Sequence, residues 1–272
     1  MRKAAGWKKA MASLVSASTL FSCTITGTMN FSTVTAADGA NYAEALAMSL
    51  YFFDANECGT EVDDNCLTWR GNCHTYDAEA SLDSAANLSS SEKAMIKEAN
   101  GGSNTVDVSG GYHDAGDHIK FNVTMGFAAS SLAMSYYMNP GAYEKANCEG
   151  HFREVLKKTC DYLMKTTYLD NSGNVYAVCA TVANSADHDV TWEPPENQTY
   201  DRPTYWLTAS YNNSVTTATM ASALAGTAYV FKDVDAEYSA KCMKYSKALY
   251  DFAKKYPDMQ DTTSGLYRLT DT

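Results

Sequence analysis

The chain has 272 residues, a formal net charge of −11 at pH 7, and 19 Tyr and 4 Trp. A chain this acidic binds polyanions poorly, which excludes nucleic acid as an expected partner. An uncharged ligand suits the composition better, because Tyr and Trp provide flat amphipathic surfaces on which ligands stack.

The first 36 residues have the layout of a secretory signal, with cleavage expected after Ala36. An apolar run follows a basic start made of Arg2, Lys3, Lys8 and Lys9. Neither that run nor any later segment is apolar enough to span a bilayer. We expect a secreted protein of residues 37–272 with a charge of −15, since four cations and no acid leave. Lipoprotein anchoring at Cys23, in "LFSC", is the alternative.

The remainder is predicted to be all-α. An apolar stripe over Tyr42–Phe53 predicts a first amphipathic helix, and similar stripes lie at 152–163 and 238–256. The stretches 124–138 and 215–231 are apolar on most sides, which indicates buried helices. Faces this wide favour helices packed on two sides, as in a double-layered helical barrel.

Three long polar segments separate these helices: 57–78, 101–118 and 169–213. Loops of this length are uncommon unless they are functional or disordered. These contain Trp, Tyr, His, Cys and Pro, so we expect the functional residues to lie in them.

The stretch "GGYHDAGDH", residues 110–118, places Asp114 and Asp117 three residues apart between histidines. If a helix begins just after it, both carboxylates can cap that helix. Alternatively, two carboxylates can share one water, with one orienting it and the other accepting its proton. A divalent cation also suits the spacing, but the further oxygen ligands of a calcium loop are missing.

The wider stretch "DVSGGYHDAGDHIKF" resembles the signature of family 9 glycoside hydrolases, the inverting cellulases. "YAEALAMSLYFFDANECG", "LTWRGNCHTYDA" and "TWEPPENQTYDRPTYWLTAS" resemble further segments of that family. The resemblance covers essentially everything after the signal. It implies an (α/α)6 barrel, of which residues 37–272 form about the first half of a truncated catalytic domain.

By this resemblance Asp117 is the general base that deprotonates the attacking water, and Asp114 helps to hold that water. The implied activity is that of an endo-β-1,4-glucanase, which hydrolyses cellulose or a related β-glucan with inversion. The family's general acid, a glutamate near the far end of the domain, has no match here. A catalytically silent glucan-binding or structural fragment is therefore the alternative. A family calcium site would also draw on residues beyond Thr272.

The resemblance implies five substrate contacts: His118, His188, Trp192, Arg202 and Tyr205. His188 lies one residue farther from Trp192 than the family pattern has it. Trp192 is a candidate platform for a sugar ring, with ordinary loop packing as its alternative. His118 could equally be a structural hydrogen bonder.

Eight cysteines are present, and seven remain once Cys23 leaves with the signal. Cys58, Cys73, His74 and His113 make a closed tetrahedral zinc set, and a subset of the family holds a structural zinc with matching residues. A Cys58–Cys73 or Cys58–Cys66 disulfide is the alternative. The third functional hypothesis is a metal-dependent hydrolase that uses the same four Cys and His residues. Four further cysteines are predicted to lie in the core or to form disulfides: Cys148, Cys160, Cys179 and Cys242.

Overall fold

The computed structural model describes residues 40–189, 192–263 and Leu266. The predicted signal segment and Cys23 lie outside these residues. Among the described helices, none combines the length and the apolar character needed to cross a membrane.

Eight α-helices lie in the described part of the chain: α1 Tyr42–Asn56, α2 Ser90–Ala99, α3 Asn122–Met138, α4 Pro140–Lys145, α5 Glu149–Lys165, α6 Ser185–Asp189, α7 Ser214–Phe231 and α8 Ala236–Lys255. The five helices predicted from periodicity are confirmed as α1, α3, α5, α7 and α8. The sequence analysis missed α2, although its capping box was readable: Ser89 and Glu92 each bond the other's backbone N–H.

The buried face of α1 differs from the predicted stripe by about one residue. Ala43, Ala47, Leu50 and Asp54 are buried, whereas Tyr42 is exposed. Ala43, Ala47 and Leu50 join the hydrophobic core, and α1 contacts α4 and α5. The stripe predicted for α5 is buried as expected.

One large hydrophobic cluster joins the helices, and α7 packs against both α3 and α8. Two glycines permit the close approach of α3 and α7. A Cβ added at Gly226 would lie 2.6 Å from the Cβ of Ala133, and one at Gly126 would lie 2.9 Å from the Thr219 carbonyl carbon. Cys148, Cys160 and Cys242 belong to this cluster, which confirms their predicted place in the core.

The prediction of an irregular loop over residues 169–213 is wrong. An antiparallel sheet is built there around β5, which pairs with all three other strands. Its strands are β3 Lys120–Phe121, β4 Thr167–Leu169, β5 Val175–Val182 and β6 Thr204–Thr208, and a small separate sheet pairs β1 Ala80–Ser81 with β2 Thr105–Val106. Seven of the eight β5 residues are buried, so the strand lacks the apolar–polar alternation that identifies a half-exposed strand.

We expect Gly226→Ala to lower the free energy of unfolding by about 1–2 kcal/mol, because the new methyl group must displace α3. Gly150→Ala is the matched control, since nothing lies within 4 Å of its new Cβ. That control should be neutral or slightly stabilising, because Ala favours helix over Gly. Urea unfolding of the full-length protein measures both, and equal stability of the two variants would contradict the proposed contact.

Candidate functional site

Residues 110–119, here named the aspartate loop, are docked on the end of α1. The Cys58 N–H donates to the Gly111 carbonyl at 3.0 Å, and the His113 N–H donates to the Asn56 carbonyl at 2.8 Å. The loop then closes on itself, because the Asp114 N–H donates to the Ile119 carbonyl at 2.8 Å. Gly111 has φ +75° and packs directly on the Tyr162 ring, so only glycine suits that position.

The two aspartates do not cap a helix. Strand β3 separates them from α3, whose first residue is Asn122 and whose N-cap, Phe121, makes no side-chain capping bond. The capping alternative is therefore wrong. Asp117 is buried, with 6% of its surface exposed, and Asp114 is half-buried. Two carboxylates on one clamped loop, buried to different degrees, can hold a water and accept its proton.

The Trp192 ring lies over the aspartate loop, between the two aspartates. A Cβ added at Gly116 would lie 2.5 Å from Trp192 Cζ3, so the ring rests directly on the glycine backbone. Even so, Trp192 is 62% exposed. An exposed ring beside carboxylates is the geometry that a stacking platform for a sugar requires.

A buried ion network lies beneath the loop. The Asp77 carboxylate pairs with Lys120 Nζ at 2.8 Å and with Arg202 Nε at 3.0 Å. Lys120 Nζ also donates to the Gly110 carbonyl at 3.2 Å, and Arg202 Nη2 donates to the His118 carbonyl at 3.0 Å. The two cations therefore hold opposite ends of the aspartate loop.

Arg202 differs from its predicted role. Its side chain is only 2% exposed, and its guanidinium contacts Asp77, Asp187 and the His118 backbone. The expected direct contact with substrate is therefore corrected to a supporting role beneath the loop. Tyr205 lies half-buried on β6 opposite Thr181. His188 lies within α6, and its side chain is outside the described part of the structure.

The four predicted metal ligands do come together. All are buried, and the ligand atoms of Cys58, Cys73, His74 and His113 lie within 4.8 Å of one another. His74 Nδ1 is 3.6 Å from Cys58 Sγ and 3.1 Å from His113 Nε2. Tetrahedral zinc with these donors has ligand–ligand edges of about 3.3–3.8 Å, so the set fits the ion.

The predicted disulfide alternatives are wrong, because none of the seven cysteines in the described residues forms a disulfide. A hydrogen bond from Cys58 lowers the pKa of the Cys73 thiol to about 7, whereas burial raises the pKa of Cys58. The Cys58 thiol donates to the Cys73 sulfur, so Cys73 is the first of the two to lose its proton. Burial lowers the pKa of His113, so its ring is neutral and able to bind a metal.

The sequence analysis missed Gln198, which links this cluster to the aspartate loop. Its side-chain carbonyl contacts His74 Nε2 and lies 3.1 Å from His118 Nδ1, while its amide nitrogen donates to Asp187. Burial lowers the pKa of His118, which leaves its ring neutral. Since Gln198 is 80 and 124 residues from its histidine partners, no local pattern could have indicated these contacts.

A model of glycosyl hydrolase family 9 matches residues 42–271. The chain belongs to this family. Endoglucanase B of Cellulomonas fimi is 33% identical over 221 residues, which cover 81% of this chain and 18% of that protein. Endoglucanase A of Bacillus pumilus is 30% identical over 79% of this chain and 28% of its own length.

Solved structures of family 9 cellulases share the fold. The catalytic domain of Clostridium thermocellum CelT has a TM-score of 0.76 and 39% identity over 82% of this chain and 46% of that one. The cellulase Cel9M of C. cellulolyticum in complex with cellobiose has a TM-score of 0.69 and 29% identity over 85% and 48%. The chain thus spans less than half of these domains, and the prediction of a partial (α/α)6 barrel is confirmed.

We expect Asp77→Asn to lower the free energy of unfolding by about 3–5 kcal/mol, because it leaves Lys120 buried without a counter-charge and Arg202 with Asp187 alone. Asp107→Asn, which removes an exposed partner of Lys165, should cost less than about 1 kcal/mol. Chemical unfolding of both variants measures the difference. A loss no larger in Asp77→Asn than in this control would contradict the clamp.

The same network predicts a pH dependence. Burial alone would raise the pKa of Asp77, but Lys120 and Arg202 outweigh it and lower that pKa. The folded-state pKa of Asp77 is thus below the unfolded value of about 3.9. Its contribution to the free energy of unfolding is therefore present above the unfolded pKa and is lost as the pH falls through the folded-state pKa. Unfolding between pH 6 and 2 should therefore show a smaller acid-induced loss in Asp77→Asn than in the unsubstituted protein.

Proposed function

We propose that the full-length protein is a secreted endo-β-1,4-glucanase that hydrolyses cellulose or a related β-glucan. The single observation that carries this is the buried Asp117 on a clamped loop beside the exposed Trp192 ring. Membership of family 9, relatives named endoglucanases and a neighbour solved with cellobiose support the same substrate class.

In the proposed reaction Asp117 is the general base and Asp114 helps to hold the attacking water. An inverting glycosidase needs its base and acid carboxyl groups about 6.5–9.5 Å apart, so that the water fits between base and sugar. The general acid is a glutamate outside this chain. Asp114 and Asp117 would hold and deprotonate the attacking water, while Lys120 and Arg202 hold the aspartate loop in place.

Trp192 is proposed to stack on a sugar ring, because its exposed ring lies against the aspartate loop. His118, His188 and Tyr205 remain proposed contacts with the substrate. The His118 ring is neutral because burial lowers its pKa, which suits a neutral polysaccharide.

We also propose that Cys58, Cys73, His74 and His113 hold a structural zinc. The ion would tie the segment after α1 to the aspartate loop, and four protein ligands leave no open position for a reacting water. Arg70 supports this assignment, because its Nη2 lies 3.6 Å from Cys73 Sγ and donates to the Glu57 carbonyl at 3.0 Å. A calcium site in the remainder of the domain stays a prediction.

Asp117→Ala should lower kcat on soluble cellulose by about 10²–10⁴-fold, the usual contribution of a general base, while glucan binding stays unchanged. Asp107→Ala, from the same sequence motif, is the control and should retain turnover. Near-normal turnover by Asp117→Ala would remove the base assignment. Glucan binding without hydrolysis by the unsubstituted full-length protein would favour the catalytically silent alternative.

Cys73→Ser should reduce bound zinc well below one ion per chain and lower the melting temperature by about 4–8 °C, as a loss of 2 kcal/mol would. Cys148→Ser is the control. Cys148 is also buried, but it lies near the Tyr143 carbonyl and is not one of the four Cys/His ligands. Unchanged metal content and melting in Cys73→Ser would end the zinc proposal. Chelation that stopped turnover without destabilising the fold would instead favour a metal-dependent hydrolase.

A further inference from the structure

The Gln198 side chain joins three separate segments of the chain. Its carbonyl oxygen contacts Nε2 of His74 and lies 3.1 Å from Nδ1 of His118, and its amide nitrogen donates to Oδ1 of Asp187. All four residues are buried. A buried amide in such a position must match the donors and acceptors around it, because an unsatisfied pair would cost about 1–3 kcal/mol.

Asp187 determines which way the amide faces. Burial raises the pKa of Asp187, but Arg202 Nη1, 3.6 Å from its second oxygen, opposes that shift and favours the carboxylate form of the side chain. A carboxylate only accepts hydrogen bonds, so the NH2 group of Gln198 must face it. The carbonyl oxygen of Gln198 then faces both imidazole rings, and the flipped amide would set oxygen against carboxylate.

This orientation in turn determines the tautomers of both histidines. A carbonyl oxygen can only accept, so His74 must carry its proton on Nε2 and His118 must carry its proton on Nδ1. Nδ1 of His74 is then left with its lone pair. That is the atom that lies 3.6 Å from Cys58 Sγ and 3.1 Å from His113 Nε2, where a metal ligand is needed.

We propose that Gln198 is a positioning residue that selects these two tautomers and thereby couples the Cys/His cluster to the aspartate loop. The proposal rests on the proposed zinc site and hydrolase activity, and it gives Gln198 no contact with zinc or substrate. His118 directly follows Asp117, so a ring held by Gln198 also restrains the base. Residues that orient a metal ligand in this way typically change metal affinity 10–100-fold when they are replaced.

The first test needs no substitution. In zinc-free full-length protein labelled with ¹⁵N-histidine, two-bond ¹H–¹⁵N spectra report which ring nitrogen carries the proton. The expected result is a proton on Nε2 of His74 and on Nδ1 of His118. The opposite tautomer on either ring would overturn the inference.

The second test compares Gln198→Met with Gln260→Met in the full-length protein. Gln260 also donates from its amide nitrogen to an aspartate, Asp258, but it lies outside the site and forms no hydrogen bond with a histidine of the described residues. Competition with a chromophoric chelator should show zinc binding 10–100-fold weaker in Gln198→Met and within about twofold of normal in the control. The kcat of Gln198→Met should fall because the His118 ring beside Asp117 is no longer held, and its KM should rise because His118 is also a proposed substrate contact.

The outcomes of these experiments distinguish the role of Gln198 from the proposed zinc site and the proposed hydrolase activity. Failure of the unsubstituted protein to bind zinc would remove the proposed metal site. Absence of hydrolysis by the unsubstituted protein would remove the proposed activity. Tight zinc binding that Gln198→Met leaves unchanged would overturn the role of Gln198 alone.

Discussion

The site depends on one buried carboxylate, that of Asp77. It is paired with both Lys120 and Arg202, and each of these cations donates a second bond to a backbone carbonyl at one end of the aspartate loop. A buried ion pair adds little net stability over an apolar replacement, because desolvation of the charges offsets their attraction. Its effect here is geometric. The carbonyls of Gly110 and His118 are held at fixed points, so the aspartates between them have a defined position without a helix to carry them.

Two histidines at the site adopt left-handed backbone conformations, His74 with φ 48° and His118 with φ 60°. Such conformations cost free energy for a residue other than glycine and persist where the surroundings determine them. Both rings meet at Gln198, and each backbone adjoins a residue of a proposed site, Cys73 in one case and Asp117 in the other. The left-handed turn at His74 lets two consecutive residues present their ligand atoms to one cluster. The clamp of the loop and the contact with Gln198 together hold the conformation of His118.

The sequence predicted the parts of this structure whose signals are local. Helical periodicity identified α1, α3, α5, α7 and α8, and the sequence motifs identified the family that the family model confirms. Strand β5 was not predicted, because it is buried on both faces and therefore lacks the alternation of apolar and polar residues. The direction of the Arg202 side chain and the role of Gln198 depend on partners 80–125 residues away, and no pattern within a single sequence reports such contacts.

The composition of the proposed zinc site also bears on the chemistry of the loop. Two thiolates neutralise a zinc dication, so a Cys2His2 site carries no formal charge. A cationic centre beside His113 would stabilise the ionised form of nearby carboxylates and weaken them as bases, since opposite charge lowers a carboxyl pKa. A neutral centre can brace the loop without that penalty. Lys120 and Arg202, the two cations of the clamp, both pair with Asp77, and Arg202 also lies near Asp187. The arrangement thus gives the proposed base a rigid support in which the buried cations are paired with carboxylates.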